Sequence, residues 1–122
     1  MSAQAGIRAF CEGLGVAMPR TMPVVLRFER AGRLLIAEDR GGLTLLLERD
    51  LPAWRTGVLA AALRAVHPAR GVPRPVHIRC RSHRSLLLSL HLAAEEVDTP
   101  MLDGCLRLLN RLADEAEAGA QP

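Results

Sequence analysis

An α+β fold of order α-β-β-β-α-β-β-α, an antiparallel five-stranded sheet packed with helices, is predicted by three features of this chain. Apolar residues recur with a helical period near both ends and over residues 52–66. They alternate with polar residues from Val24 to Glu48 and from Val76 to Leu92, and breaks rich in Gly, Pro, Asp or Ser separate the segments. The 122 residues contain no internal repeat and no linker long enough to divide them, so residues 1–122 are expected to form one domain.

Ile7, Phe10, Cys11 and Leu14 stand at i, i+3, i+4 and i+7, one stripe of a helix over residues 2–14 that Gly15 can end in a left-handed cap. Val24, Leu26 and Phe28 then face one way, and Val25, Arg27 and Glu29 the other. Ala31-Gly32 is a turn and residues 33–38 a second strand. Residues 39–42 (DRGG) are a second turn whose glycines supply positive φ, and residues 43–48 a third strand with Leu43, Leu45 and Leu47 on one face. Pro52 opens a second helix that runs to Val66, before His67-Pro68. Residues 69–75 (ARGVPRP) form a loop. In the fourth strand Val76, Ile78 and Cys80 alternate with His77, Arg79 and Arg81; in the fifth, Leu86, Leu88, Leu90 and Leu92 alternate with Leu87, Ser89 and His91. A last helix starts at Thr99-Pro100 with Thr99 as N-cap, buries Leu102, Cys105, Leu109, Leu112 and Ala116, and frays from Ala118.

Composition limits the chemistry. Apolar residues are 49% of the chain but aromatics only 2%, so the core must be aliphatic, mostly leucine. All sixteen basic residues are arginine, as expected of a GC-rich coding sequence, and they are unevenly placed. Residues 1–85 carry fourteen arginines and six acids, and residues 86–122 two and seven, giving +8 and −5. Scattered arginines without aromatics to stack bases do not make a nucleic-acid surface. Cys11, Cys80 and Cys105 are odd in number and set among apolar neighbours, which fits reduced, buried thiols of a cytoplasmic protein. No apolar run approaches membrane-spanning length, and the N-terminus does not read as a signal peptide.

His77, Cys80 and His83, with His67 before them and His91 after, have the residue types of a zinc site. In a strand, however, side chains three apart point to opposite faces, so no metal site is expected. The cysteines lie on apolar faces where a thiolate is disfavoured, and the serines near histidines carry no nucleophile motif. Gly41-Gly42 opens a strand and lacks the helix N-terminus of a phosphate loop. No catalytic residue and no cofactor are expected.

Two apolar surfaces remain. The second helix is apolar nearly all round, which calls for cover on more than one side. Its small Ala60, Ala61 and Ala65 allow close approach, so Ala61→Arg is expected to disrupt association while sparing the fold. On the sheet face turned away from the core, Val25, Leu35, Leu46 and Leu87 form an exposed patch.

Three segments, residues 10–16 (FCEGLGV), residues 42–54 (GLTLLLERDLPAW), and residues 85–92 (SLLLSLHL) followed by residues 99–112 (TPMLDGCLRLLNRL), resemble in order and spacing those of the SycN family of class I type III secretion chaperones. The resemblance covers nearly the whole chain. It implies a type III secretion chaperone-like fold and a cytoplasmic, non-catalytic protein, with a peripheral place at the secretion apparatus on the inner membrane. As partners it implies a YscB-like chaperone subunit in a heterodimer and the N-terminal segment of a YopN-like gatekeeper as cargo. The family dimerises largely through its second helix, which matches Val58, Leu59, Ala61, Ala62, Leu63, Ala65 and Val66 here. Val25, Leu35, Leu46 and Leu87 are the expected cargo-binding patch. Family members are usually acidic, whereas this chain has a sequence pI near 9.3. The alternatives are a homodimeric class I effector chaperone and, from another class, an arginine-rich nucleic-acid-binding regulator.

Overall fold

A computed structural model describes residues 3–15, 23–51, 57–82 and 85–119. Its elements are α1 (Ala3–Gly13), β1 (Val24–Phe28), β2 (Gly32–Asp39), β3 (Gly42–Asp50), α2 (Val58–Ala65), β4 (His77–Ser82), β5 (Ser85–Ala93) and α3 (Thr99–Gly119). One-turn 3-10 helices occur at Pro68–Arg70 and Ala94–Glu96. This is the predicted α+β order.

The five strands form one antiparallel sheet in the order β1-β2-β3-β5-β4. After β3 the chain passes through α2 to the edge strand β4, then returns as β5 to pair with β3. Register turns the alternation of the sequence into rows across the sheet. Leu26, Leu34, Leu47, Leu88 and Ile78 lie opposite one another on one face, and Val24, Ile36, Leu45 and Leu90 make the next row. Against this face α3 buries Leu102, Cys105, Leu109, Leu112, Ala113 and Ala116. Both α1, through Ile7, Phe10 and Cys11, and α2, through Val58, Ala62 and Ala65, join the same core. The opposite sheet face carries none of these helices' buried side chains.

Several local expectations change. Leu14 lies past the end of α1 and is 39% exposed, so the buried stripe ends at Cys11. Gly15 does take the left-handed conformation (φ 75°) and closes the helix through its N–H to Glu12 O. In the β2–β3 turn only Gly41 has positive φ (68°). Gly42 is required by space instead, because a Cβ there would run into the Leu92 carbonyl oxygen. Gly57 is left-handed (φ 89°), so α2 begins at Val58; the predicted start at Pro52 lies outside the described residues. Helix α3 is capped by Asp98, one residue before the predicted Thr99: its Oδ1 accepts from Met101 N at 2.8 Å. Ala118 and Gly119 remain helical where fraying was expected.

One core residue had no counterpart among the expectations. Arg49 continues the inward face of β3 and is only 5% exposed. Its guanidinium reaches Asp114 Oδ1 at 2.6 Å, Glu117 Oε1 at 3.2 Å and the amide oxygen of Asn110, while Nε donates to Ala31 O at 3.1 Å. Where the leucine face runs out, one five-donor side chain ties the end of α3 to β3 and to the turn before β2.

Two surface carboxylates are held below the usual range. Hydrogen bonds from Arg40 N (2.7 Å) and Thr44 Oγ1 (3.1 Å) lower Asp39. A hydrogen bond from Arg74 Nη2 (3.0 Å), followed by one from Ala93 N (3.0 Å), lowers Glu96. A depressed folded-state value contributes stability above the unfolded carboxylate range and loses it as pH falls through the depressed value. Glu96→Gln should therefore lower the urea midpoint at neutral pH but have less effect below about pH 4, where Glu96 is protonated in the unfolded chain. An equal loss at both pH values would show that the carboxylate charge contributes nothing.

Candidate functional site

The sheet face turned away from the helices is ordered in rows by the same register. Val25, Leu35, Leu46, Ser89 and His77 lie opposite one another across all five strands. Two residues along the strands, the next row reads Arg27, Arg33, Glu48, Leu87 and Arg79.

Val25 is 47% exposed and Leu35 and Leu46 are half-buried, so three of the four residues of the expected patch form a continuous apolar strip over β1, β2 and β3. Leu87 is on the same face but only 4% exposed, in the row of Glu48. Glu48 is itself only 7% exposed. It is clamped by Arg33 from β2, by Arg81 from β4 at 2.7 Å, and by the Ser85 hydroxyl at 3.3 Å. A register irregularity between Cys80 and Ser82 falls at Arg81, beside this cluster. Sequence alternation could show that Glu48 faces away from the helices, but not that two arginines from other strands close over it.

The residues expected to form a dimer interface divide between two sides of α2. Val58, Ala61, Ala62 and Ala65 are packed within the chain, where α2 meets α3. Leu59 and Leu63 are 42% and 51% exposed, and Val66 is half-buried at the helix end. Beyond α2, the inward-facing Val76, Ile78 and Cys80 of the edge segment are also only half-buried, because β4 is the edge of the sheet and, among the described residues, no further strand covers that margin. Leu59 and Leu63 thus stand on the helix that packs beside an incompletely covered sheet edge.

His77 is exposed on the outer face and Cys80 half-buried on the inner one, as strand parity demands; His83 lies outside the described residues. Among the described residues no group of three or more His, Cys, Asp or Glu side chains is placed to hold a metal ion. Burial pushes the thiols of Cys11, Cys80 and Cys105 above their ordinary value, which keeps them protonated and poorly nucleophilic. A cleft of about 330 Å³ between the β1–β2 turn and the end of β3 is lined by Arg27, Phe28, Arg30 and Asp50, among others. An open groove of about 380 Å³ lies along Gly104, Leu108 and Arg111. Neither brings a nucleophile to a base. No described helix is long and apolar enough to cross a membrane.

This frame, with its uncovered apolar surfaces, is similar to proteins of one kind. A family model, described as type III secretory system chaperone SycN, matches residues 3–117. A chain of the heterodimeric complex ExoU–SpcU from the type III secretion system of Pseudomonas aeruginosa superposes with a TM-score of 0.60. It is 21% identical, and the match covers 92% of this chain and 93% of that one. No curated protein matches the sequence.

Proposed function

Because the chain belongs to the SycN family of type III secretory system chaperones, we propose that it pairs with a YscB-like chaperone subunit. The pair then holds the N-terminal segment of a YopN-like secretion gatekeeper and so regulates secretion. The work is done in the cytoplasm and without catalysis, by covering apolar surface of a cargo segment that is not folded.

The observation that carries this reading is the division of α2. One side is packed into the chain's own core, while Leu59 and Leu63 remain 42% and 51% exposed. An apolar side left open on a helix beside an incompletely covered sheet edge suits a second chaperone domain. On the proposed interface Leu59, Leu63 and Val66 make the contact, while Val58, Ala61, Ala62 and Ala65 support them from within. The strip of Val25, Leu35 and Leu46, with the buried Leu87 in the neighbouring row, is the proposed cargo surface.

The test is co-expression with a YscB-like subunit and a gatekeeper N-terminal segment, followed by mass measurement of the complex by light scattering. Leu59→Glu with Leu63→Glu is expected to break the pair while circular dichroism stays unchanged, since both side chains are exposed. Leu35→Ser with Leu46→Ser should keep the pair but weaken cargo capture, by about 1 kcal/mol or more per apolar side chain that the cargo covers. A chain that remains paired after both glutamate substitutions would overturn the interface. A mass of two copies of this chain, with no second subunit taken up, would favour the homodimeric effector chaperone instead.

A further inference from the structure

The row beside the cargo strip contains a conflict that the fold does not resolve. Arg27 of β1 and Arg33 of β2 are direct cross-strand partners. Like charges placed so weaken the pairing of two strands. Arg33 is compensated by Glu48, which it shares with Arg81. Arg27 is exposed and forms no ion pair among the described residues. The exposed acids of this face stand at or past the ends of their strands: Glu29 follows β1 in the turn, Asp50 closes β3, and Asp39 is engaged by Arg40 N and Thr44. Glu29 and Asp50 line the cleft beside Arg27, and neither forms an ion pair with it.

Geometry joins this charge to the apolar strip. Arg27 and Arg33 belong to the same two strands as Val25 and Leu35, two residues further along. The two rows therefore run side by side about 7 Å apart, and β1 to β3 span about 10 Å. We infer that this face takes a polypeptide segment whose apolar side chains are flanked by aspartate or glutamate, with apolar groups on Val25, Leu35 and Leu46 and a carboxylate between Arg27 and Arg33. The inference deepens the cargo-holding reading and rests on it. A carboxylate there turns the cross-strand repulsion into a bridged pair, so the fold is strained slightly without cargo and relieved with it. The Arg27–Arg33 pair also places part of the chain's unusual positive charge where an acidic cargo needs it. A nucleic acid is the poorer fit, because among the described residues no Phe, Tyr or Trp stands on this face to stack a base, and over β1 to β3 the neighbouring row is aliphatic.

The experiment uses the purified protein and three synthetic peptides of about twelve residues, long enough when extended to cross the sheet. They share their apolar residues and carry Glu, Gln or Lys at the flanking positions. By fluorescence anisotropy the Glu peptide should bind tightest and the Lys peptide weakest. Arg27→Gln should weaken the Glu peptide roughly two- to fivefold and leave the Gln peptide unchanged. Raising sodium chloride from about 50 mM to about 500 mM should erase the preference. Without peptide, Arg27→Gln should unfold at an equal or higher urea concentration than the parent, because the repulsion is gone.

If Arg27→Gln leaves the Glu-to-Gln ratio unchanged while Leu35→Ser with Leu46→Ser abolishes binding, the charge preference is wrong and the cargo strip stands. If the serine pair has no effect either, the cargo reading of this face falls with it. Single-stranded DNA or phosphatidylserine vesicles binding more tightly than the Glu peptide, with the same dependence on Arg27, would also overturn the proposal.

Discussion

Leu88→Ala is expected to lower the free energy of unfolding by about 2–5 kcal/mol, a large part of what holds a domain of this size together. Leu88 is wholly buried on β5, between Leu47 of β3 and Ile78 of β4, in the row that faces the helices. Truncation leaves a cavity that paired strands on both sides cannot close, and only two Phe and one Trp occur anywhere in the chain to fill space. Urea unfolding followed by circular dichroism should show a lower midpoint with an unchanged slope. Leu63→Ala is the control: its side chain is half exposed, so the same truncation should cost less than about 1 kcal/mol. Equal losses at the two positions would contradict the burial described for them.

Ala61→Arg is expected to destabilise the chain itself by about 2–4 kcal/mol, with loss of pairing as a consequence. The sequence alone predicts that this substitution spares the fold, because a small residue on an apolar helix reads as a place where another chain approaches. The approaching element is α3 of the same chain: Ala61 is 5% exposed, and a Cβ built on Gly119 would stand 3.2 Å from the Ala61 Cβ. An arginine must push the two helices apart or bend to solvent at the cost of their packing. The comparison with Leu59→Glu and Leu63→Glu is decisive. Those variants should unfold at nearly the parent's urea concentration while failing to pair. An Ala61→Arg chain with unchanged stability would return Ala61 to the interface.

The fold was legible because its signals are local. Alternation from Val24 to Glu48 and from Val76 to Leu92 fixes which side chains share a face, and both faces of the sheet came out with that parity. The apolar spacing of α3 predicts every residue of its buried stripe except Ala113. Boundaries were less legible, since they depend on single hydrogen bonds such as that from Met101 N to Asp98 Oδ1. The candidate surfaces were half legible. Val25, Leu35 and Leu46 were found by alternation, but Leu87 has the same parity and is buried. Exposure depends on what neighbouring strands bring, and parity says nothing of that.

By itself, then, the sequence determined the order of helices and strands, the aliphatic core and the face to which each strand residue belongs, because periods of two and 3.6 residues are properties of the backbone. Tertiary structure alone decided the rest, because strand order and register join residues far apart in the chain. Pairing β3 with β5 set Leu87 beside Glu48, and Arg33 and Arg81 came to that carboxylate from different strands. It brought Asp114, 65 residues away, to the inward-facing Arg49. It also chose which side of an almost wholly apolar α2 would face α3, leaving Leu59 and Leu63 outside. On a helix apolar all round, hydrophobicity cannot make that choice; only the positions of the neighbouring elements can.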